Sequence, residues 1–142
     1  MKRGKDYIGV GVGIVVFNDE GKLLITKRGQ ACANDRGKWE IPGGGVEHGE
    51  LRSDAVKREI KEEYCTDVLG YEFLGFRDVH RNNKGKDTHW ISLDFKVHID
   101  RTQAKIGEPE KIDEIGWFPK RGFPTPLHSQ LPFFLEKYKD KI

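Results

Sequence analysis

The chain has 142 residues, of which 36% are hydrophobic and 34% charged, and its formal net charge is +2. This length is typical of one domain, here residues 1–142, and the hydrophobic content excludes an intrinsically disordered chain. Because the charge is nearly balanced and no apolar run is long enough to cross a bilayer, we expect neither polymeric nucleic acid nor a membrane as a partner.

The N-terminal segment and the cysteines bear on where the protein resides. The apolar run 7–17 follows three basic residues, but it ends in a turn signal without a cleavage site. This favours a buried strand over a signal peptide. Cys32 and Cys65 form neither a CxxC pair nor a disulfide framework, which is typical of a reducing compartment. We therefore expect a cytoplasmic protein.

The first third of the chain is predicted to be extended, with turns and loops rich in glycine and polar residues. In chain order, the pattern predicts a strand at 9–17, a turn at 18–21, a strand at 22–28, a loop at 29–37, a short strand at 39–41 and a loop at 43–50. The first two strands are expected to form a hairpin.

The rest of the chain adds two helices and three strands. The pattern predicts a helix from Leu51 or Ser53 to about Tyr64, a strand at 68–77, a turn at 82–87, a strand at 88–99, a strand at 115–119 and a helical tail at 128–139. The sum is an α/β protein with a mixed sheet and about two helices.

The first predicted helix carries an acidic cluster. Residues three and four apart share a helix face, so Glu59, Glu62 and Glu63 lie together on one side. The neighbouring apolar stripe consists of Val56, Ile60 and Tyr64. The carboxylates repel one another, and a hard divalent cation such as Mg²⁺ or Mn²⁺ would relieve that repulsion. A solvated surface helix is the alternative interpretation of this segment alone.

The residues before the helix favour the metal interpretation. Gly44, five residues, Glu50, seven residues and then Arg58-Glu59-Ile60-x-Glu62-Glu63 resembles the Nudix box, with seven fixed positions over twenty residues. The preceding segment 39–44 extends the match. The chain departs from the family pattern where a glycine and an aliphatic residue usually follow, because Cys65 and Thr66 stand there. A left-handed helix end would cost a residue other than glycine roughly 1–2 kcal/mol, so the replacement predicts a changed helix ending, while all three acidic positions remain.

The resemblance implies the Nudix fold, an α/β/α sandwich, and specific roles for the residues of the box. It implies that Glu59 and Glu63 ligate Mg²⁺ or Mn²⁺ together with the Gly43 carbonyl. It implies that Glu62 holds a second ion or helps to activate water. Gly44, Glu50 and Arg58 would be structural, with an Arg58–Glu50 ion pair locking the loop onto the helix.

Other candidate residues lie outside the box. The resemblance implies a further catalytic and metal-binding acid from a distant loop, for which Glu110 is favoured over Glu108 and Glu114, with a solvated loop as the alternative. Candidate substrate-binding residues are Arg28 for phosphate, Trp39, Phe76 or Trp90 for a base, and Glu40 beside Trp39. A surface charge is the alternative for Arg28, and a core position is the alternative for the aromatic residues. The histidines show no ligand spacing.

The implied reaction is metal-dependent hydrolysis of a diphosphate linkage in a small nucleotide. The favoured substrate is a nucleoside triphosphate, which would yield a monophosphate and pyrophosphate. The alternatives are a nucleoside diphosphate sugar of the ADP-ribose type and a non-catalytic nucleotide-binding module. The intact acidic positions argue against the last. The sequence is compatible with a homodimer but does not indicate one.

Overall fold

A mixed β-sheet with two helices is formed by the residues that the computed structural model describes, which are 1–32, 35–83 and 85–142. Ala33 and Asn34 of the predicted loop and Lys84 of the predicted turn lie outside the described residues. No helix in the described ranges combines the length and apolarity needed to span a membrane.

The described strands join in one sheet. They are β1 (Gly9–Phe17), β2 (Leu23–Arg28), β3 (Trp39–Glu40), β4 (Gly43–Gly45), β5 (Gly70–Asn83), β6 (Lys86–His98) and β7 (Ile112–Phe118). The main order is β3-β2-β1-β6-β5, while β4 pairs with β1 and β7 with β2. The β1–β6 pairing is parallel and the others are antiparallel. The helices are α1 (Arg52–Tyr64) and α2 (Leu131–Lys137).

Strand β1 separates two cores because its side chains alternate between the faces of the sheet. On one face, Val12, Ile14 and Val16 belong to a buried cluster with residues of α1. On the other face, Val15 and Phe17 belong to a cluster with residues of α2. The three glycines Gly9, Gly11 and Gly13 alternate onto this second face and leave it without side chains at the start of the strand. The helices therefore cover opposite faces of the sheet.

Several boundaries differ from the sequence prediction. The predicted loop 43–50 begins with strand β4, because its glycines pair with Gly11–Gly13 of β1. Strands β5 and β6 extend past the predicted 68–77 and 88–99 as a polar two-stranded ribbon. Strand β7 begins at Ile112 rather than 115, and α2 spans seven residues instead of the predicted twelve. The strand β1 and the helix α1 lie where the sequence predicts them.

Helix α1 ends at Cys65, whose backbone is left-handed with φ 58° and ψ 27°. The Cys65 N–H donates to the Lys61 carbonyl at 3.0 Å and closes the last turn. A non-glycine residue is strained in this conformation. The predicted change in helix ending is therefore wrong, since the left-handed end of the family pattern is kept even though glycine is absent.

Replacing Cys65 with glycine is expected to preserve activity and to hold or raise the free energy of unfolding. Relief of the left-handed strain, roughly 1–2 kcal/mol, is offset by the larger entropy of glycine in the unfolded chain. Urea unfolding monitored by fluorescence measures the change. Asp67→Gly, at an exposed position with negative φ, is the matched control and should lower stability. A clear loss of stability in Cys65→Gly would contradict the strain argument.

Candidate active site

The carboxylates of α1 lie in different surroundings. Glu59 is buried, with 10% of its side chain exposed, whereas Glu62 exposes 48%. The Oε2 atom of Glu63 is buried and has no hydrogen-bond partner among the described residues. A buried carboxylate oxygen without a partner is costly, so this position favours a bound cation.

The electrostatic surroundings of Glu63 also favour a bound cation. Burial raises the pKa of Glu63 well above its ordinary value, and the charges of Glu59, Glu40, Glu108 and Glu62 raise it further. Burial also raises the pKa of Glu59, although its neighbour Arg58 opposes this effect. A divalent cation would reverse both effects, because it stabilises the ionised carboxylates.

The donor set fits a hard cation, although its ligands are not gathered around one point. Within residues 1–32, 35–83 and 85–142, no three His, Cys, Asp or Glu side chains converge as a preformed metal site. The fit rests on the unpartnered Glu63 oxygen and on a set of carboxylate and carbonyl oxygens that suits Mg²⁺ or Mn²⁺.

Arg58 ties the loop before α1 to the helix. Its Nε donates to Glu50 Oε2 at 2.7 Å and its Nη2 to Glu50 Oε1 at 2.9 Å, a bidentate pair. The same guanidinium donates to the Gly45 carbonyl and to Glu59 Oε1, each at 2.9 Å. The bond from Arg58 lowers the pKa of Glu50 to about 2. Arg58 therefore fixes both the loop and the Glu59 carboxylate.

The absence of a side chain at Gly44 lets the Glu59 carboxylate approach the β4 backbone. A Cβ at Gly44 would overlap the Glu59 carboxylate, so the β4 backbone and this side chain lie in direct contact. Gly43, Gly44 and Gly45 also line a cavity of about 420 Å³ on the α2 face of the sheet. Strand β4 therefore contacts both the carboxylates and the cavity.

The cavity wall carries three arginines. Arg28 pairs with Glu40 at 2.8 Å, a carboxyl whose pKa is raised by burial. Arg77 pairs with the fully buried Asp94 at 2.7 Å. Arg81 is the third, and with the other two it makes this wall suitable for an anionic ligand.

His128 lies buried at the same wall. The Gln130 N–H donates to its Nδ1 at 3.1 Å, so the neutral ring carries its proton on Nε2. That nitrogen lies 3.2 Å from Asp35 Oδ2 and 3.2 Å from Arg81 Nη1. Burial, followed by the charge of Arg81, lowers the pKa of His128 to about 4. The imidazole is therefore neutral near pH 7.

The sequence candidates outside the box are placed as follows. Trp39 is half-buried and packs edge-on against Phe118, with ring centroids 5.6 Å apart, beside the buried cluster that includes Phe134 of α2. Trp90 instead lines the cavity. Glu110 is exposed, whereas the charge of Glu108 raises the pKa of both Glu59 and Glu63. Sequence reasoning missed the cavity residues Arg77, Arg81 and His128.

Comparisons with known proteins agree on one family. The model of the NUDIX domain matches residues 8–138. An RNA pyrophosphohydrolase of Bartonella henselae is 33% identical over 62% of this chain and 46% of its own length, so the chain spans less than half of that relative. An RNA pyrophosphohydrolase of Pelagibacter ubique is 29% identical over 92% of this chain and 86% of its own. The crystal structure of a MutT NUDIX hydrolase from Burkholderia pseudomallei superposes with a TM-score of 0.80 at 30% identity, covering 92% of this chain and 97% of that one.

Proposed function

Because the chain belongs to the NUDIX hydrolase family, we propose that it hydrolyses a diphosphate linkage in a nucleotide with the help of Mg²⁺ or Mn²⁺. The favoured substrate is a nucleoside triphosphate that yields a monophosphate and pyrophosphate. The observation that carries the proposal is the buried, unpartnered Glu63 oxygen beside Glu59, joined through β4 to a cavity lined with arginines. Family membership and the matching fold confirm the Nudix resemblance of the sequence.

Residues of α1 and β4 would hold the ion. Glu59 and Glu63, with the Gly43 carbonyl, are the proposed ligands, and Glu62 would hold a second ion or accept a proton from water. When bound, such an ion neutralises diphosphate oxygens and lowers the pKa of a water molecule. Arg58 keeps the Glu59 carboxylate in place through its 2.9 Å hydrogen bond.

The cavity would hold the rest of the nucleotide. Its volume of about 420 Å³ is within the range of small-ligand sites. Arg28 lines the cavity and would bind a phosphate oxygen, while Glu40 holds the Arg28 guanidinium at 2.8 Å. Trp90 lines the same wall, with the Arg3 guanidinium 5.3 Å from its ring centroid, whereas Trp39 packs beside the core cluster.

A matched set of variants tests which glutamate outside the box is the further catalytic acid. We expect Glu108→Gln to lower the hydrolysis rate about tenfold or more, because its charge acts on Glu59 and Glu63. The exposed Glu110, favoured by the sequence, should tolerate the same change within about twofold. Glu114→Gln is the control, since Glu114 pairs with Lys27 at 3.5 Å on the surface. A larger loss in Glu110→Gln than in Glu108→Gln would support the assignment made from sequence.

A substrate screen tests the proposed function itself. The protein and Mg²⁺ are incubated with nucleoside triphosphates, nucleoside diphosphate sugars and dinucleoside polyphosphates, and pyrophosphate, phosphate and nucleoside monophosphates are separated by ion-exchange chromatography and measured. Pyrophosphate release from a triphosphate supports the proposal. Release of two monophosphates from a sugar nucleotide would shift the assignment to the ADP-ribose type. Binding without any turnover would identify a non-catalytic module.

A further inference from the structure

The cavity wall formed by β5 and β6 has a regular side-chain pattern. Arg77, Val79 and Arg81 alternate onto one face of β5, and all three line the cavity. Their cross-strand partners on β6 line it as well, and these partners are Ser92, Trp90 and Thr88. One face of the β5–β6 ribbon thus lines the cavity.

Two of the three cavity arginines have close anionic partners. Arg77 makes two hydrogen bonds to Asp94, at 2.7 and 3.2 Å, and lies over the Phe134 ring. Arg28 makes a 2.8 Å hydrogen bond to Glu40. The charges of these two guanidinium groups are therefore largely balanced within the protein.

Arg81 is held differently. Among the described residues, its one hydrogen-bond contact is the 3.2 Å approach of Nη1 to His128 Nε2. That nitrogen carries the ring proton and so cannot accept. The nearest carboxylate, Asp35 Oδ2, lies 3.7 Å away, beyond hydrogen-bond distance.

The surroundings of Arg81 disfavour its charge. Its side chain is only 33% exposed. Burial is the largest cause that lowers the pKa of Arg81, and the positive charges of Arg28 and Arg77 add to it, although Asp35 and Glu40 oppose them. A half-buried guanidinium with unmet donors is a site for an added anion.

We propose that Arg81 binds a second phosphate of the substrate, one esterified to the ribose of the nucleotide whose diphosphate is cleaved at α1. The inference rests on the proposed function, because it places both groups in one site. Strand β4 connects the two regions, since Gly44 lines the same cavity as Arg81 and lies against the Glu59 carboxylate. The substrate class is therefore a nucleotide phosphorylated at both ends of its nucleoside.

Binding without metal tests the subsite independently of hydrolysis. We titrate the protein calorimetrically, in excess chelator, with adenosine 5′-monophosphate and with adenosine 3′,5′-bisphosphate. The same pair of ligands is tested for guanosine, cytidine and uridine. We expect the wild type to bind at least one bisphosphate about tenfold more tightly than its monophosphate, as a charge-assisted hydrogen bond would provide. Arg81→Gln should reduce that ratio to about twofold or less.

Two further variants control for charge and folding. Arg121→Gln removes an exposed arginine outside the cavity and should keep the wild-type ratio. Arg81→Lys keeps the positive charge and should retain part of the preference for the bisphosphate. This variant separates loss of charge from a folding defect. Equal binding of monophosphate and bisphosphate by the wild type, or a ratio unchanged in Arg81→Gln, overturns the proposal.

Hydrolysis identifies the source of the second phosphate. We compare kcat/KM in Mg²⁺ for three nucleoside 5′-triphosphates. The first has a free 3′-hydroxyl, the second a 3′-phosphate, and the third a second nucleotide linked at its 3′ position. Faster cleavage of the dinucleotide indicates the 5′ end of an oligonucleotide, and faster cleavage of the 3′-phosphate indicates a small bisphosphorylated substrate. If the wild type cleaves none of them, the proposed function fails while the metal-free binding result still decides the role of Arg81.

Discussion

Replacing Glu63 with glutamine should reduce the hydrolysis rate by about two orders of magnitude or more while the fold stays intact. Glutamine keeps the size and the helix propensity of the side chain but removes the charge that a hard cation needs. The substitution also removes a buried oxygen without a hydrogen-bond partner from a cluster of like charges. In chelator, the melting temperature should therefore hold or rise.

Turnover and metal-free melting of this variant separate the competing interpretations. The matched control is Glu72→Gln, an exposed glutamate near the start of β5, which should change neither quantity. A solvated surface helix predicts the same lack of change for Glu63→Gln. A non-catalytic module predicts no rate to lose and only weaker ligand binding. An unaffected turnover in Glu63→Gln would remove Glu63 from the catalytic site.

Excess chelator should abolish turnover, and added Mg²⁺ or Mn²⁺ should restore it. The carboxylates of α1 have one described cationic neighbour, Arg58, which contacts Glu59 and Glu62 but makes no described hydrogen bond to the buried Oε2 of Glu63. A cation that binds only the folded state raises the melting temperature by mass action. We therefore expect Mg²⁺ to stabilise the wild type more than Glu63→Gln, as measured by thermal unfolding.

Two results would contradict the proposed metal dependence. Full turnover in chelator, with any nucleotide, would contradict the role proposed for Glu59, Glu62 and Glu63. An equal rise in melting temperature for wild type and Glu63→Gln would place the bound ion elsewhere on the chain.

Local periodicity explains which parts of the fold were predictable. The β-branched run of β1 and the 3.6-residue spacing of α1 are local signals, so both elements lie where they were predicted. The box spacing also identified the partners Arg58 and Glu50, which form a bidentate pair in the structure. The left-handed Cys65 was not predicted, because the replacement of glycine indicated a changed helix ending, yet the helix ends where the family pattern ends it.

The cavity could not be predicted in the same way. Arg81 lies beyond the predicted end of the strand at residue 77, so the alternation that aims it into the cavity was not recognised. His128 meets Asp35 only because the segment before α2 returns to the sheet, a tertiary contact across more than ninety positions. Trp39 was one of three candidates for stacking on a base, with a core role as the alternative, because nothing local distinguishes a core tryptophan from one that binds a ligand.

The alternation of glycine and larger residues along β1 bears on how this protein could change its selectivity. A Cβ at Gly13 would lie 2.6 Å from Asp94 Oδ1, so the strand contributes only backbone to the cavity floor. Its opposite face contributes Val12 and Ile14 to the packing that holds α1. Substitutions on the β5–β6 ribbon can therefore alter which molecule is chosen without disturbing the packing that orients the catalytic helix. Recognition and chemistry can thus evolve as separate modules on the two sides of one strand.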